Sequence, residues 1–226
     1  MFKGSAVQKE ATARFAADMR ARLAPNPELA ESLIPSYSLG CRRLTPGPGY
    51  LEGLVNSKTN VITTGIARVD ERGIITTDGK HRPVDAIVCA TGFNTKFLPR
   101  FPVIGKNGVS LASKWAKVPS TYLSMTVDGF PNYFLCLGPN SANLGGLLLL
   151  VERQVDYFTQ LISKLQRDGI RAMSPKASAV NDFTRYCDEF LEQTVYTTNC
   201  RSWFKGGTSD GRVSVAWPGK SRKSSI

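Results

Sequence analysis

Asp85-Ala86-Ile87-Val88-Cys89-Ala90-Thr91-Gly92-Phe93 is the most distinctive stretch of the sequence. With Val84 in front of it, the run is almost continuously apolar until it breaks at Thr91-Gly92. A strand wetted on one face alternates polar and apolar residues, whereas a strand covered on both faces does not. The sequence therefore predicts a buried parallel strand over Val84–Ala90. Thr91-Gly92 then stands where an open α/β sheet meets its ligand. Asp85 reads first as a strand-end cap or loop anchor and second as a catalytic carboxylate. Upstream, Val61, Ile62 and Ile66–Val69 predict a strand, Glu71–Gly73 a turn, and Gly73–Thr77 a further β-rich run closed by Asp78-Gly79. Downstream, residues 94–131 are punctuated by Pro and Gly. Tyr133–Leu137 predicts another buried strand, closed by Gly138-Pro139.

Helical spacing dominates the rest. Leu150, Val151, Val155, Phe158, Ile162 and Leu165 share one face of a helix predicted over Leu147–Gln166, entered from a Gly145-Gly146 hinge and closed by Gly169. A second helix is predicted over Pro175–Thr194. Near the start, Phe15, Met19 and Leu23 recur four apart in a segment over residues 5–24, which Pro25 and Pro27 terminate. Pro35–Tyr50 is loop-like around the breaker cluster Thr45-Pro46-Gly47-Pro48-Gly49, Leu51–Leu54 reads as a short helical turn, and Trp203–Gly219 as loop. The fold class is α/β: a mixed sheet followed by two long C-terminal helices. No internal repeat is present.

The 226 residues fit one large domain or two small ones, and 42% hydrophobic with 21% charged residues is an ordinary globular balance. The longest apolar runs fall far short of the roughly 20 residues of a membrane helix. Residues 1–14 carry no apolar block of the secretory kind, so the expected location is cytoplasmic. The net charge of +11 raises nucleic acid as a partner. However, Lys96, Arg100, Lys106, Lys114 and Lys117 are scattered among Pro and Gly, and Lys220, Arg222 and Lys223 sit in a Ser-rich tail. No nucleic-acid partner is expected. The five cysteines are widely spaced with no C-x-x-C, which argues against a disulfide framework and a zinc site. All five read as structural, Cys89 and Cys136 as small buried hydrophobes. His81 is the single histidine, so no His-rich metal site is expected. Gly47-x-Gly49-x-x-x-Gly53 has the wrong spacing and no preceding buried strand for a phosphate loop.

Taken together, several segments resemble flavin-dependent monooxygenases. Asp85 to Phe93 resembles their D-x-(apolar)-x-A-T-G-[FY] segment. Gly40-Cys41-Arg42-Arg43 with Pro46-Gly47-x-Gly49-Tyr50 is similar to the loop before the late strands. Phe130-Pro131-Asn132-Tyr133-Phe134 followed by Gly138-Pro139-Asn140-Ser141 is similar to an F-P-N…G-P-x-S stretch. Glu152-Arg153-Gln154 opens the long helix as in that family. Cys200-Arg201-Ser202-Trp203-Phe204 with Trp217-Pro218-Gly219 resembles its C-terminal end. The resemblance runs from about residue 30 to 220 and is strongest to the Baeyer–Villiger-type branch of fungal secondary metabolism.

That resemblance covers only the family's C-terminal half. Its two G-x-G-x-x-G loops, for FAD and NADPH, and its F-x-G-x-x-x-H-x-x-x-W fingerprint have no counterpart here, and His81 does not stand in that fingerprint. A strand–Gly loop–helix unit supplies the donors that hold a pyrophosphate, so no cofactor is expected unless a partner chain brings FAD or NADPH. The implied architecture is a cut-down remnant of the flavin monooxygenase fold: an N-terminal helical extension over 1–29, a single region over 30–219 and a basic tail over 220–226. Two functions follow. One is a cofactor-free enzyme that folds an apolar terpenoid or polyketide for cyclisation, isomerisation or Diels–Alder-type cycloaddition. The other is a degenerate or partner-dependent half of an FAD/NADPH Baeyer–Villiger monooxygenase. Under the first, Asn140, Ser141, Arg201 and Trp203 are the candidate hydrogen-bond donors. Asp85, Thr91, Gly92, Phe93, Gly138 and Pro139 form the family-remnant segment. The expected partners are a lipophilic small molecule and a second copy or companion chain covering an exposed apolar face.

Overall fold

The computed structural model describes residues 2–44, 47–142 and 146–219. Thr45-Pro46 of the breaker cluster, Gly145 of the hinge and the basic tail lie outside the described residues. The helices are α1 (Ala6–Arg22), α2 (Pro27–Leu33), α3 (Tyr50–Leu54), α4 (Leu111–Lys114), α5 (Leu147–Arg167) and α6 (Ala177–Glu192). The strands are β1 (Ile66–Asp70), β2 (Gly73–Thr76) and β3 (His81–Pro83). The class is mixed α/β, as the sequence implies. Chain contacts define two compact units, one of residues 1–14, 35–44 and 95–226, the other of residues 15–34 and 45–94. These units cut across the 30–219 region drawn from the sequence.

In the smaller unit the three strands form an antiparallel sheet in the order β1-β2-β3. Gly73 opens β2 at φ 146°, where a Cβ would collide with the Arg82 carbonyl, so only glycine lets β2 and β3 close up. The turn into β3 is set by Asp78, whose carboxylate accepts from Thr76 Oγ1 and from the Lys80 N–H at 3.3 Å. These contacts hold the Asp78 carboxyl below its usual range, the Thr76 hydroxyl most strongly. Asn26 caps α2 by accepting from the Leu29 N–H at 3.0 Å, with Pro27 in the first turn. Arg22 grips Glu52 of α3 at 2.6 Å.

The strand predicted over Val84–Ala90 is absent. β3 stops at Pro83, which has no N–H for a ladder, and residues 84–93 run on without partners in any strand. Val88 is 92% exposed and Phe93 97%. The apolar pattern asks for a sheet covered on both faces, and the described residues contain no such sheet.

The larger unit holds two apolar clusters. In one, Cys187 and Leu191 of α6 pack with Phe204, Val213, Val215 and Ala216. In the other, Leu111 and Trp115 pack with Val127 and Phe130. Both long helices form where their periodicity predicts. Val180, Cys187 and Leu191, seven and four apart, bury one face of α6. On α5, Phe158 meets the Phe134 ring at 5.0 Å, and buried Gln154 accepts from the Leu137 N–H at 3.0 Å. That bond helps explain why Tyr133–Leu137 is a chain of turns with a single bridge, Phe134 to Thr126, rather than the strand its sequence predicts. Its backbone groups pair with the Met125 carbonyl and the α5 glutamine instead of a neighbouring strand.

The cysteines also depart from expectation. Cys41 and Cys200 form a disulfide across a separation of 159 residues. Cys89 and Cys136 are exposed, because the two strands that would have buried them do not form, and Cys187 is buried. Burial pushes the Cys187 thiol up to about 12. Among the described residues, no helix is long and apolar enough to cross a membrane.

Candidate functional site

Of the segments singled out from the sequence, Gly138–Ser141 is the one the fold builds around. It lies against the C-terminal stretch Val213–Trp217 through a parallel bridge between Ala142 and Ala216. The Asn140 N–H donates to the Ser214 carbonyl at 2.7 Å, the Ala142 N–H to Val215 at 2.8 Å, and the Trp217 N–H returns to Ala142 at 2.8 Å. Asn140 sits at φ 60°, a conformation that Asn tolerates better than most residues. Its buried side chain then ties three points together. Nδ2 donates to the carbonyls of Val213 and Ala216, each at 3.0 Å, and Oδ1 accepts from Arg212 Nη2 at 3.3 Å. Arg212 is itself held by Asp188 of α6 at 2.6 Å. Thr121 Oγ1 fixes the Pro139 carbonyl at 3.2 Å.

The remaining sequence-predicted residues are distributed differently. Ser141 is buried beside Asn140. Arg201 is exposed and donates from Nε to the Gly207 carbonyl at 2.8 Å. Trp203 is part-exposed, its ring 4.7 Å from that of Phe204. Asp85, Thr91, Gly92 and Phe93 belong to the smaller unit, on its exposed extended run. Arg212 and Asp188 escape a reading of the sequence, and Gln154 stands out there only as part of the Glu152–Gln154 segment, since each acts on a carbonyl, amide or side chain distant in the chain. Lys205 escapes it too. It is buried, with its ammonium on the carbonyls of Thr198 (2.8 Å) and Ser209, and desolvation lowers its pKa.

A dinucleotide needs free backbone N–H donors at a glycine turn that opens a helix. The turns at Gly138 and Gly49 do not offer them. The N–H groups of Leu137, Gly138 and Asn140 donate to Gln154, Ser124 and Ser214 respectively. Gly49 opens only the five-residue α3, and no strand precedes it. Neither of these two turns offers a pyrophosphate free backbone donors at the start of a long helix. Among the described residues, no group of His, Cys, Asp and Glu is placed to hold a metal ion.

No family model matches the chain. It is 37% identical over 221 residues to the FAD-binding monooxygenase stcW of Emericella nidulans, an alignment covering 97% of this chain and 36% of that protein. It is 33% identical over 198 residues to a Baeyer-Villiger monooxygenase of Pseudomonas aeruginosa, covering 86% of this chain and 37% of that one. The structure of an oxidized steroid monooxygenase bound to NADP superposes with a TM-score of 0.82 at 31% identity, over 96% of this chain and 42% of that one. Its sequence and fold are those of a region of the Baeyer–Villiger flavin monooxygenases. Cyclohexanone monooxygenase from Rhodococcus sp. Phi1 has the same fold over 96% of this chain, with a TM-score of 0.84 at 26% identity. This flavin monooxygenase region spans little more than a third of the length of the curated relatives it matches. Its fungal relatives also include the FAD-binding monooxygenase tazF of Aspergillus terreus, at 37% identity over 204 residues.

Proposed function

We propose that this chain is one part of an FAD- and NADPH-dependent Baeyer–Villiger monooxygenase. It works only together with a dinucleotide-binding part, carried on a longer polypeptide or on a companion chain. One observation carries the reading: Val84–Phe93 has the composition of a strand covered on both faces, yet Val88 and Phe93 stand almost wholly exposed. An apolar run of this kind is stable in water only when another surface covers it. The substrate proposed for the assembled enzyme is a lipophilic ketone, and the reaction the insertion of one oxygen atom beside its carbonyl. The flavin, when bound, supplies the oxygen chemistry. Arg201 and Trp203, with exposed side chains, are the donors proposed to face that substrate, while Asn140 and Ser141 position the backbone behind them.

A cofactor-free cyclase is the second reading, and the geometry favours it less. Folding a polyene for cyclisation needs an enclosed, water-free cavity. A cleft of about 400 Å³, lined by Phe134, Ile162, Leu165 and Ile170 with polar Asn132, Gln166 and Arg171, opens to solvent.

The test is a visible absorption spectrum and an NADPH-oxidation assay, run on the chain alone and on the chain mixed with a dinucleotide-binding region of a relative. The expected result is a colourless, inactive chain and a yellow, ketone-dependent mixture. Stoichiometric flavin on the chain alone, or cyclisation of a lipophilic polyene without flavin, overturns the proposal.

A further inference from the structure

We propose that the Cys41–Cys200 pair is a redox latch: oxidised, it docks the strap formed by residues 35–44 onto the larger unit, and reduced, it lets the strap go. The strap belongs to that unit, although the residues on either side of it in sequence, 15–34 and 45–94, belong to the other. Its regular structure is slight. It contains no helix or strand, and its internal contacts are a turn from the Cys41 N–H to the Ser38 carbonyl at 3.1 Å and the Arg42 guanidinium over the Tyr37 ring at 4.8 Å. Among the described residues, the disulfide and a hydrogen bond from Ser202 Oγ to the Cys41 carbonyl at 3.2 Å tie it to its unit, beside the packing of half-buried Tyr37–Gly40.

The other end of the bond is anchored firmly. Cys200 lies between two single-turn helical segments, Val195–Thr197 and Trp203–Lys205. Ser202 caps the second by accepting from the Phe204 N–H at 3.2 Å, and the buried Lys205 ammonium bridges the carbonyls of Thr198 and Ser209. When the bond breaks, the mobile partner is therefore the strap and not the Cys200 loop.

The chemistry balances with a small dithiol as reductant. Its thiolate attacks one sulfur, breaking the Cys41–Cys200 bond and forming a mixed disulfide, and its second thiol resolves that intermediate. Two electrons and two protons pass to Cys41 and Cys200, and the reductant leaves as its own disulfide. Both sulfurs are buried, so exchange proceeds through local opening of the strap.

Two measurements on the full chain test the latch. Alkylation under denaturing, non-reducing conditions is expected to label three thiols, Cys89, Cys136 and Cys187. Labelling of Cys41 and Cys200 as well would overturn the pairing. Hydrogen exchange followed by mass spectrometry is then recorded with and without dithiothreitol. Protection over Ser38–Leu44 is expected to fall at least tenfold on reduction, while protection in α6 is retained. Unchanged strap protection in the reduced protein would show that packing alone holds it and refute the latch. The double variant C41S/C200S is expected to exchange like the reduced protein whatever the redox condition. If it does not fold, the wild-type comparison decides by itself.

Discussion

Replacing Asn140 by Ala separates a structural role for this side chain from a purely chemical one. The wild-type amide makes two hydrogen bonds to backbone carbonyls at 3.0 Å and accepts a third from Arg212 at 3.3 Å, all in a nearly water-free site. A neutral hydrogen bond contributes about 1 kcal/mol net, and leaving buried partners unsatisfied costs about 1–3 kcal/mol. Alanine also tolerates φ 60° less well than asparagine, adding on the order of 1 kcal/mol. The sum is a loss of about 3–5 kcal/mol, equivalent to roughly 10 °C in melting temperature for a protein of this size. The assay is urea unfolding followed by far-ultraviolet circular dichroism, with hydrogen exchange over Val213–Trp217 as the local readout. Protection in that stretch is expected to collapse before the rest, because its carbonyls lose the side chain that held them. A variant as stable as wild type, with unaltered exchange, would refute the assignment of Asn140 as a clamp.

Ser124 is fully buried at φ 64° with its hydroxyl unpartnered among the described residues. Ser124→Gly relieves both defects against a smaller glycine entropy cost and is expected to raise stability by about 1 kcal/mol in the same urea assay; a loss would show that its Cβ packing outweighs the strain. Glu52 is held down to about 2, chiefly by its hydrogen bonds from Arg22. A carboxylate with a depressed folded value stabilises above its unfolded value and loses that contribution as pH falls toward the folded one. The Arg22–Glu52 link is thus expected to weaken between pH 4.5 and about 2, and Glu52→Gln to remove that part of the acid transition. An acid transition of unchanged shape in the variant would count against the link.

Much of the candidate site was legible as residues and little of it as roles. Gly138-Pro139-Asn140-Ser141 stood out as a motif, yet the partners that define what Asn140 does are the carbonyls of Val213 and Ala216 and the Arg212 guanidinium, more than seventy positions away. No periodicity or spacing encodes such a contact. Arg212, Asp188 and Lys205 were silent for the same reason: Arg212 and Lys205 read as ordinary surface charges until the fold closes over them, and exposed Asp188 gains its role only from the Arg212 brought beside it.

Sequence alone is enough for α1, α5 and α6, for the β1 and β2 runs with the turns at Glu71–Gly73 and Asp78-Gly79, and for the resemblance to the flavin monooxygenases. Helices and tight turns close their hydrogen bonds within a few residues, so local pattern suffices for them. Tertiary structure alone decided the Cys41–Cys200 bond, the turns at Tyr133–Leu137 and the fate of Val84–Ala90. A strand's apolar pattern states what environment it needs, but its hydrogen bonds and its cover come from elsewhere. Where no neighbouring strand is present, as along residues 84–93, the pattern survives and the strand does not.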